Sequence, residues 1–414
     1  MEYGCIGEHL GHSFSAEIHH ALSTHPYVIR EVERDELDEF MQERDFCGIN
    51  VTIPYKEDVI KHLFYMSSQA QKIGAVNTIV NREGRLYGYN TDFFGMSDLI
   101  RRTGVELAGK KVVILGTGGT SRTAVAVAHA LGAREVLRVS RQAREDAITY
   151  DTLAMAHTDA EILINTTPCG MYPRAGEVPV DIADFPRLEG VIDAIYNPLR
   201  PQLILEAQKR GIPASGGLYM LVAQAVRASE IFLECAYPEK VTEGVYHKIL
   251  RQKENVVLTG MPSCGKSTVG KVIARRLGRE LFDLDEEIVK AAGKSIPEIF
   301  EESGEAFFRA LETRVLKEAL SQKNGIVLAT GGGAVLKDEN IDLLKRNGRI
   351  YFLDRPLSML LPTGDRPLSS SEAALKRRFE ERYDRYLATA DCRIDGAGTP
   401  DEVADLIAKD FEGI

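Results

Sequence analysis

The stretch KKVVILGTGGTSRTAVAVAHALGA, residues 110–133, places Gly116, Gly118 and Gly119 directly after a run of apolar, mostly β-branched residues. This pattern predicts a buried strand that turns into a helix at the glycines. Because glycines leave the backbone uncovered, the amides at the helix N-terminus are open to a pyrophosphate. The usual third glycine is Ser121 here, so a dinucleotide site and an ordinary strand–helix turn both explain the loop.

A second glycine loop lies farther along the chain, in NVVLTGMPSCGKSTVGKVIARRL. Gly260, Gly265, Lys266 and Ser267 have the G-x-x-x-x-G-K-S/T spacing of a phosphate loop, again between a predicted strand and a predicted helix. We expect the loop amides, Lys266 and Thr268 to bind nucleotide phosphates and Ser267 to ligate Mg²⁺. The motif predicts ATP or another nucleoside triphosphate as a ligand and leaves the phosphoryl acceptor open.

Short β-branched runs alternate with amphipathic segments through most of the chain, which predicts βα units and parallel sheets covered by helices. The two glycine loops have different spacings, so each is expected to open its own nucleotide-binding domain. The charged stretch at 251–255 is the best candidate for the boundary between them.

The composition restricts the class of protein. A length of 414 residues predicts two or three domains, and a net charge of −10 argues against nucleic acid and anionic membranes as partners. No apolar run is long enough to span a membrane, and the first residues do not resemble a signal peptide. The six cysteines form no CxxC pair, which favours reduced thiols. We therefore expect a cytoplasmic protein that acts on small molecules.

Polar side chains cluster at predicted strand ends before the first glycine loop. They are Ser13, Ser15, Asn50, Thr52, Lys56, Asn77, Asn90, Thr91 and Asp92. Such hydroxyls and amides, with one lysine and one aspartate, suit a polyhydroxy acid as a ligand. Lys56 and Asp92 can form a proton-transfer pair. Taken singly, a surface lysine and a helix cap are the simpler interpretations.

The predicted strand after the first loop ends in Ser140 and Arg141, with Arg144 just beyond. An NAD site normally ends this strand in Asp or Glu, whereas a cation suits the 2′-phosphate of NADP. A solvated basic turn is the alternative.

Eight motifs follow one another in the first 250 residues: HSFS, NVTIPYK, GAVNT, GYNTD, GTGGTSR, INTTPCGM, DAIYNP and GLYMLVAQA. In this order they resemble shikimate dehydrogenases. The resemblance implies reduction of 3-dehydroshikimate to shikimate by NADPH, with Lys56 and Asp92 as the catalytic pair. The residues implied to hold the substrate's carboxylate and hydroxyls are Ser13, Ser15, Thr52, Asn77, Asp92 and Gln224. Tyr196 and Gly217 would line the cleft near the nicotinamide and the substrate, Tyr196 as a substrate residue and Gly217 as a cofactor residue.

The same resemblance implies a substrate-binding α/β domain over about 1–95, completed by helices near 220–250, and a Rossmann NADP domain over 96–219. The family usually has Asn-Arg-Thr where this chain has Ser140, Arg141 and Gln142. The arginine for NADP is kept, although the preference for NADP over NAD is less certain.

Further motifs follow the phosphate loop. Asp283 and Asp285 are predicted on one face of a strand, because alternate strand residues share a face. Together, D-x-D, FR-x-x-E, GGG, RPL and R-x-x-x-Y resemble shikimate kinases over 255–414, which implies a P-loop, NMP-kinase-like parallel-sheet domain. The implied roles are Asp285 at the acceptor hydroxyl, Asp283 near Mg²⁺, Arg309 and Arg382 on the carboxylate, Gly331, Gly332 and Gly333 near the ring, and Arg366 at the transferring phosphoryl group.

The segment before RPL is shorter than in that family and lacks one arginine near the nucleotide, so weaker nucleotide binding or futile ATP hydrolysis is expected. The sequence predicts a bifunctional enzyme that makes shikimate with NADPH and phosphorylates it with MgATP. Three alternatives stay open: a preference for quinate, a regulatory or catalytically impaired ATP-binding domain, and a scaffold for other enzymes.

Overall fold

The structure, a computed structural model, describes residues 1–10, 14–22, 25–361 and 371–413. The chain divides into two compact units, Met1–Ile249 and Leu250–Ile414. Both are built from sheets covered by helices, and the predicted α/β class with a carboxy-terminal phosphate-loop domain is confirmed. Within the described ranges, the structure has no helix that is both long and apolar enough to cross a membrane.

The first unit begins with a six-stranded mixed sheet. Its strands are β1 (Tyr3–Gly7), β2 (Tyr27–Glu31), β3 (Gly48–Val51), β4 (Tyr65–Met66), β5 (Thr78–Arg82) and β6 (Arg85–Tyr89), and its helices are α1 (Ser15–Leu22), α2 (Leu37–Glu43) and α3 (Ser68–Ile73). The strand order is β2-β1-β3-β5-β6-β4, with β5 antiparallel to both neighbours.

A second six-stranded sheet follows in the same unit. Its strands are β7 (Lys111–Leu115), β8 (Glu135–Ser140), β9 (Ile148–Thr149), β10 (Ile162–Asn165), β11 (Gly190–Asp193) and β12 (Ala214–Ser215), and its helices are α4 (Asp92–Thr103), α5 (Gly119–Ala130), α6 (Tyr150–Ala156) and α7 (Gln202–Lys209). The order β12-β11-β10-β7-β8-β9, with all pairs parallel, is that of a dinucleotide-binding fold. Val112 and Ile114 face one core while Val113 and Leu115 face the other, which is why β7 is apolar throughout.

Two helices complete the first unit, α8 (Leu218–Leu233) and α9 (Glu239–Lys253). The start of α8 packs Met220 into the core of the second sheet, and its end packs Phe232 against the first, where a Cβ at Gly48 would be 2.5 Å from the ring. A Cβ at Gly95 would be 2.5 Å from the backbone oxygen of Met220. Helices α4 and α8 therefore touch at their backbones, and α4 runs across residue 95, where the sequence analysis placed a boundary.

The second unit has one parallel sheet. Its strands are β13 (Asn255–Thr259), β14 (Leu281–Asp283), β15 (Val327–Ala329), β16 (Gly348–Asp354) and β17 (Cys392–Asp395), and its helices are α10 (Lys266–Leu277), α11 (Leu284–Ala292), α12 (Ile296–Gln322), α13 (Asp338–Asn347), α14 (Glu372–Thr389) and α15 (Pro400–Glu412). The order is β14-β15-β13-β16-β17. Gly304, at φ 78°, kinks α12. This topology places the phosphate loop after the central strand.

The backbone contact at Gly95 predicts that a single methyl group added there destabilises the folded protein. Gly95→Ala should lower the free energy of unfolding by about 1–3 kcal/mol, because the methyl would overpack against α8. Urea unfolding of the purified protein measures this change. Gly244→Ala is the matched control: a Cβ there meets no atom within 4 Å, so this helical substitution should stabilise by up to about 1 kcal/mol. Equal stability of the two variants would contradict the close contact of α4 with α8.

Candidate active sites

The first candidate site is centred on an ion pair between Lys56 and Asp92. Lys56 lies in the loop after β3, and Asp92 is the first residue of α4, where the helix dipole favours a carboxylate. The Lys56 Nζ atom is 2.6 Å from Asp92 Oδ2, and the side chains are 15% and 10% exposed. The pair holds an ammonium in one place with a proton to donate, which suits proton transfer to a bound substrate.

A buried network of amides and hydroxyls lies beside Asp92. Asn77 Oδ1 accepts a hydrogen bond from the Thr91 amide at 2.7 Å, and Asn77 Nδ2 donates to Thr91 Oγ1 at 3.0 Å. Thr91 donates in turn to Gln224 Oε1 at 3.2 Å, so α8 contributes to the network. Asn50 extends it to β3 by donating to Thr78 Oγ1 at 3.1 Å. Sequence reasoning missed Thr78, whose only signal was its position beside Asn77. It named Thr91 among the polar residues suited to a polyhydroxy acid and gave it no separate role.

The other predicted substrate residues lie on neighbouring elements. Thr52 follows β3 and is half-buried, and Ser15 begins α1. The rings of Phe14 and Tyr196 have centroids 5.2 Å apart, which brings the DAIYNP segment to the start of α1. Ser13 lies outside the described residues.

The first glycine loop joins β7 to α5 and lies against the same ion pair. Gly116 has a φ of +110°, and a Cβ there would be 2.8 Å from Thr166 Oγ1, so another residue would be strained. A Cβ at Gly118 meets no atom within 4 Å, which leaves the N-terminus of α5 open to a ligand. A Cβ at Gly119 would be 3.8 Å from Lys56 Cδ, so the loop and the lysine are neighbours.

The turn after β8 holds the residues predicted to bind the 2′-phosphate. Ser140 is the buried last residue of β8, and its Oγ accepts a hydrogen bond from the Gln142 amide at 3.3 Å. Arg141 and Arg144 are exposed, and neither pairs with a carboxylate in the part of the chain that the structure describes. Two cations free of intramolecular anions are suited to a phosphate monoester.

Arg138, within β8, donates hydrogen bonds to the first glycine loop and to the start of α5. It donates from Nη2 to Thr117 O at 2.9 Å and from Nε to Ser121 Oγ at 3.2 Å, and Nη1 binds Asp146. Ser121 Oγ donates to Gly116 O at 2.7 Å. The serine in place of the third glycine is therefore a bridge between the loop and β8. Sequence reasoning missed Arg138, although a charged residue inside an apolar strand was a usable signal.

A buried carboxyl joins two segments at the ends of β10 and β11. Asp193 accepts hydrogen bonds from Asn165 Nδ2 at 3.0 Å and from the Ile195 amide at 2.9 Å. Complete burial raises the pKa of Asp193 to about 7, and the two hydrogen bonds oppose that increase. Nearby, a Cβ at Gly217 would be 2.2 Å from Ala194 O, so only glycine fits where α8 begins.

The phosphate loop of the second unit connects β13 to α10. Gly260 and Gly265 have φ values of 144° and 98°, which favour glycine. Lys266 is buried and donates to the backbone oxygens of Gly260 at 2.9 Å and Met261 at 3.0 Å. Thr268 is exposed in the first turn of α10. The lysine is thus held by the loop, ready to exchange carbonyl contacts for phosphate oxygens.

The predicted metal ligands of this unit are in contact. Ser267 Oγ donates to Asp283 Oδ2 at 2.5 Å, and hydroxyl and carboxylate oxygens are ligands that Mg²⁺ prefers. The prediction that Asp283 and Asp285 share a strand is wrong, because β14 ends at Asp283. Asp283 caps α11 by accepting from the amides of Asp285 at 3.1 Å and Glu286 at 3.4 Å, so Asp285 lies in the first helical turn.

Charged side chains surround the GGG segment after β15. A Cβ at Gly331 would be 2.8 Å from both Asp285 Oδ1 and Glu312 Oε1, and one at Gly333 would be 2.3 Å from Arg309 Nη2. Arg309 Nη1 donates to Glu312 Oε2 at 2.7 Å. Burial raises the pKa of Glu312, and Arg309 opposes the increase. Sequence reasoning quoted this glutamate in the FR-x-x-E motif and gave it no role.

Arg382 approaches the same segment from α14. It is 5% exposed and donates from Nη1 to Gly332 O at 3.1 Å, and Tyr386 also binds that oxygen. Two arginines, one aspartate and one glutamate thus converge on the glycines. Arg366 lies outside the described residues.

The two sites define the class of protein: a unit with a dinucleotide-binding fold and a lysine–aspartate pair, followed by a phosphate-loop unit with charged side chains around three glycines. Among the described residues, no group of three or more His, Cys, Asp or Glu side chains is arranged to hold a metal ion. A two-ligand Mg²⁺ site completed by substrate oxygens is the arrangement that fits the second unit.

Comparison with known proteins gives the family. A model described as shikimate dehydrogenase substrate binding domain matches residues 5–79, and one described as shikimate kinase matches 262–412. A shikimate dehydrogenase (NADP(+)) of Clostridium beijerinckii is 35% identical over 259 residues, covering 59% of this chain and 96% of the relative.

Two solved structures are similar to the first unit. A chorismate mutase/shikimate 5-dehydrogenase fusion protein from Clostridium acetobutylicum is 35% identical with a TM-score of 0.57, covering 60% of this chain and 96% of that one. Shikimate 5-dehydrogenase from Thermus thermophilus, in complex with NADP(H) and shikimate, is 27% identical with a TM-score of 0.54, covering 60% and 99%. The chain therefore belongs to the shikimate dehydrogenase family and carries a shikimate kinase domain, which makes it a bifunctional enzyme of the shikimate pathway.

The buried carboxyl of Asp193 predicts a pH-dependent stability. Its pKa is about 7 in the folded protein against 3.8 for an ordinary carboxyl, so between these values the folded state keeps a proton that the unfolded chain has released. The contribution of Asp193 to the free energy of unfolding is therefore full below about pH 4. It decreases by about 1.4 kcal/mol per pH unit as the pH rises towards 7.

Asp193→Asn should remove this part of the slope, because an amide does not titrate. Urea unfolding at several pH values between 5 and 7.5 measures the slope for both proteins. Asp151→Asn, an exposed position on α6, is the control and should leave the slope as it is. A slope that Asp193→Asn does not change would contradict the raised pKa.

Proposed function

We propose that the first unit reduces the ketone of 3-dehydroshikimate with NADPH and that the second transfers the γ-phosphoryl group of MgATP to the 3-hydroxyl of the shikimate so formed. The observation that carries the proposal is the position of the Lys56–Asp92 pair. Its atoms are 2.6 Å apart, and a Cβ at Gly119 in the dinucleotide loop would be 3.8 Å from Lys56 Cδ. A proton donor beside a dinucleotide loop is what reduction of a carbonyl requires.

In the first unit, bound NADPH would supply a hydride to the carbonyl carbon. Lys56 protonates the oxygen as it becomes an alkoxide, and Asp92 orients the ammonium through the 2.6 Å contact. The glycines fit the dinucleotide, because the N-terminus of α5 is open at Gly118. Arg141 and Arg144 are proposed to bind the 2′-phosphate, with Ser140 closing the turn.

The substrate is proposed to bind beside this pair. The residues assigned to its carboxylate and hydroxyls are Ser13, Ser15, Thr52, Asn77, Asp92 and Gln224. The hydrogen bonds that join Asn77 to Gln224 through Thr91 support the assignment, because they fix three polar side chains at one end of α4. Tyr196, in contact with Phe14, and Gly217 are assigned to the cleft near the nicotinamide.

In the second unit, Ser267 and Asp283 are proposed to hold Mg²⁺, and the ion would neutralise charge between the phosphates. The shikimate 3-hydroxyl attacks the γ-phosphorus, ADP leaves, and the hydroxyl proton passes to Asp285. Lys266 and the amides of the loop from Gly260 to Thr268 bind the phosphates. The acceptor is positioned by Arg309, Arg382 and the backbone of Gly331, Gly332 and Gly333, and Arg366 is assigned to the transferring group.

Both reactions are assigned to the cytoplasm with small molecules as substrates. All six cysteines are free thiols: Cys5, Cys47, Cys169, Cys235, Cys264 and Cys392. Unpaired thiols in every part of a chain fit a reducing compartment.

The proposed kinase activity is tested by ADP release from MgATP with shikimate, with quinate and with neither acid. Release that depends on shikimate is expected, and Lys266→Ala should abolish it while dehydrogenase activity remains, because only the phosphate loop is altered. A higher rate of ADP release with quinate than with shikimate would show that quinate is the preferred acceptor. If ADP release does not depend on either acid, or if no ADP is released, phosphoryl transfer to shikimate is wrong. The second unit would then be a regulatory ATP-binding domain or a scaffold.

Lys56→Ala should lower dehydrogenase turnover by about 10²–10⁴-fold, because the alkoxide loses its proton donor. NADPH oxidation with 3-dehydroshikimate measures this, and the ADP assay on the same sample should be unchanged. Lys61→Ala, which removes only an exposed ion pair with Asp38, is the control. Retained turnover would contradict the role of Lys56, whereas loss of both activities would show that the variant has unfolded.

A further inference from the structure

Arg355 lies beside the phosphate loop of the second unit. It directly follows β16, the strand that pairs with β13 and so ends at the same edge of the sheet. Its Nη1 atom is 3.7 Å from the position that a Cβ would take at Gly265 in the loop. On its other side, its own Cβ is 3.3 Å from the Cβ position at Gly396, in the segment after β17. The base of the side chain therefore packs against Gly396, and its guanidinium lies beside Gly265 at the edge where the nucleotide would bind.

The carboxylates nearest to Arg355 in sequence and on the neighbouring strand have other partners. Asp354 Oδ2 accepts from Tyr383 OH at 2.9 Å and from Arg393 Nε at 2.8 Å. Asp395 Oδ1 accepts from the Ala397 amide at 2.9 Å. In the described part of the chain, Arg355 makes no hydrogen bond or ion pair, and its Nε is buried without a partner.

Four other cations of this unit each have at least one acceptor among the described residues, whereas Arg355 has none. Lys266 donates to two loop carbonyls, Arg309 binds Glu312, Arg382 binds Gly332 O, and Arg349 on the same strand as Arg355 pairs with Asp410. A half-buried guanidinium without a partner is unfavourable, because it has lost water and gained no hydrogen bond. A phosphate oxygen at the adjacent loop would supply the missing acceptor.

We propose that Arg355 is a nucleotide-binding residue of the second unit and donates hydrogen bonds to the phosphate chain at the loop. The proposal rests on phosphate-loop binding of a nucleotide in the proposed function, and it deepens that function. The segment before RPL is short and lacks the arginine that similar kinases have near the nucleotide. Arg355 would supply a cation there from the end of β16 instead. The fork of the guanidinium suits phosphate oxygens better than a single ammonium does.

The test measures the Kd of MgADP by titration calorimetry for the full-length protein. Arg355→Ala should weaken binding about tenfold or more, the usual effect of losing a hydrogen bond to a charged group. The Kd of MgADP for Arg355→Lys should lie between the values for Arg355→Ala and the wild type. Arg349→Ala, which removes an arginine from the same strand, should bind as the wild type does. The KM for shikimate and the dehydrogenase activity should be unchanged in all three, which also shows that they fold.

A second probe separates phosphate from base. Inorganic tripolyphosphate should displace MgADP from the wild type more readily than from Arg355→Ala when the two are compared at equal saturation. If Arg355→Ala binds MgADP as tightly as the wild type does, Arg355 is not a nucleotide ligand. If it weakens MgADP and leaves tripolyphosphate unaffected, the contact is to the nucleoside and the phosphate assignment is wrong. A wild type that binds no nucleotide would instead refute the kinase function itself.

Discussion

The first unit depends on the contact of α4 with α8 at Gly95. With no side chain between them, the backbones approach until a Cβ at Gly95 would lie 2.5 Å from Met220 O. Asp92 lies one turn before the contact and Gln224 one turn after it, so the crossing brings both to one place. The polar network from Asn77 through Thr91 to Gln224 can form only at this separation. Helix α8 also packs on both sheets of the unit, so the geometry of the site is fixed by the framework that joins them.

In both units, a cationic side chain donates a hydrogen bond to a backbone carbonyl oxygen of the glycine loop. Backbone amides that point towards an anion leave their carbonyls on the far side, and these need donors. In the first unit Arg138 donates to Thr117 O at 2.9 Å. In the second Lys266 donates to Gly260 O at 2.9 Å. Each cation therefore fixes the conformation of its loop through a backbone carbonyl oxygen.

The sheets were predictable because parallel strands covered on both faces are apolar throughout. The apolar runs of β7 and β13 have this pattern, and both strands are buried along their whole length. Contacts between distant residues were not predictable in this way. Asp283 and Asp285 alternate like strand residues, yet the first aspartate caps a helix because its side chain meets the amides of the next turn. Thr78 gains its partners only when remote segments meet, and a single sequence carries little trace of that. For Arg138 the charge inside an apolar strand was visible in the sequence, whereas its partners were not.

The glycine motifs predicted the positions of both loops, since loop backbone geometry is a local property, and Gly116, Gly260 and Gly265 have the positive φ values that favour glycine. The division at Ile249 lies two residues before the charged stretch chosen from the sequence, and charge changes are only an approximate sign of where packing ends. Glu312 was visible in the FR-x-x-E motif, but its complete burial was not, because a helical glutamate three residues after an arginine is equally typical of an exposed ion pair.

Gly119 has a position that serves two partners at once. It opens α5 to the dinucleotide, and its missing side chain also leaves room for the aliphatic part of Lys56, 3.8 Å from where a Cβ would be. The methyl group of an alanine would be in van der Waals contact with that chain, and a longer side chain directed towards Lys56 would overlap it. In a mutational scan, intolerance at position 119 would therefore report on the placement of the proton donor as well as on cofactor affinity. Selection for a new cofactor through this loop would be coupled to the rate of the chemical step.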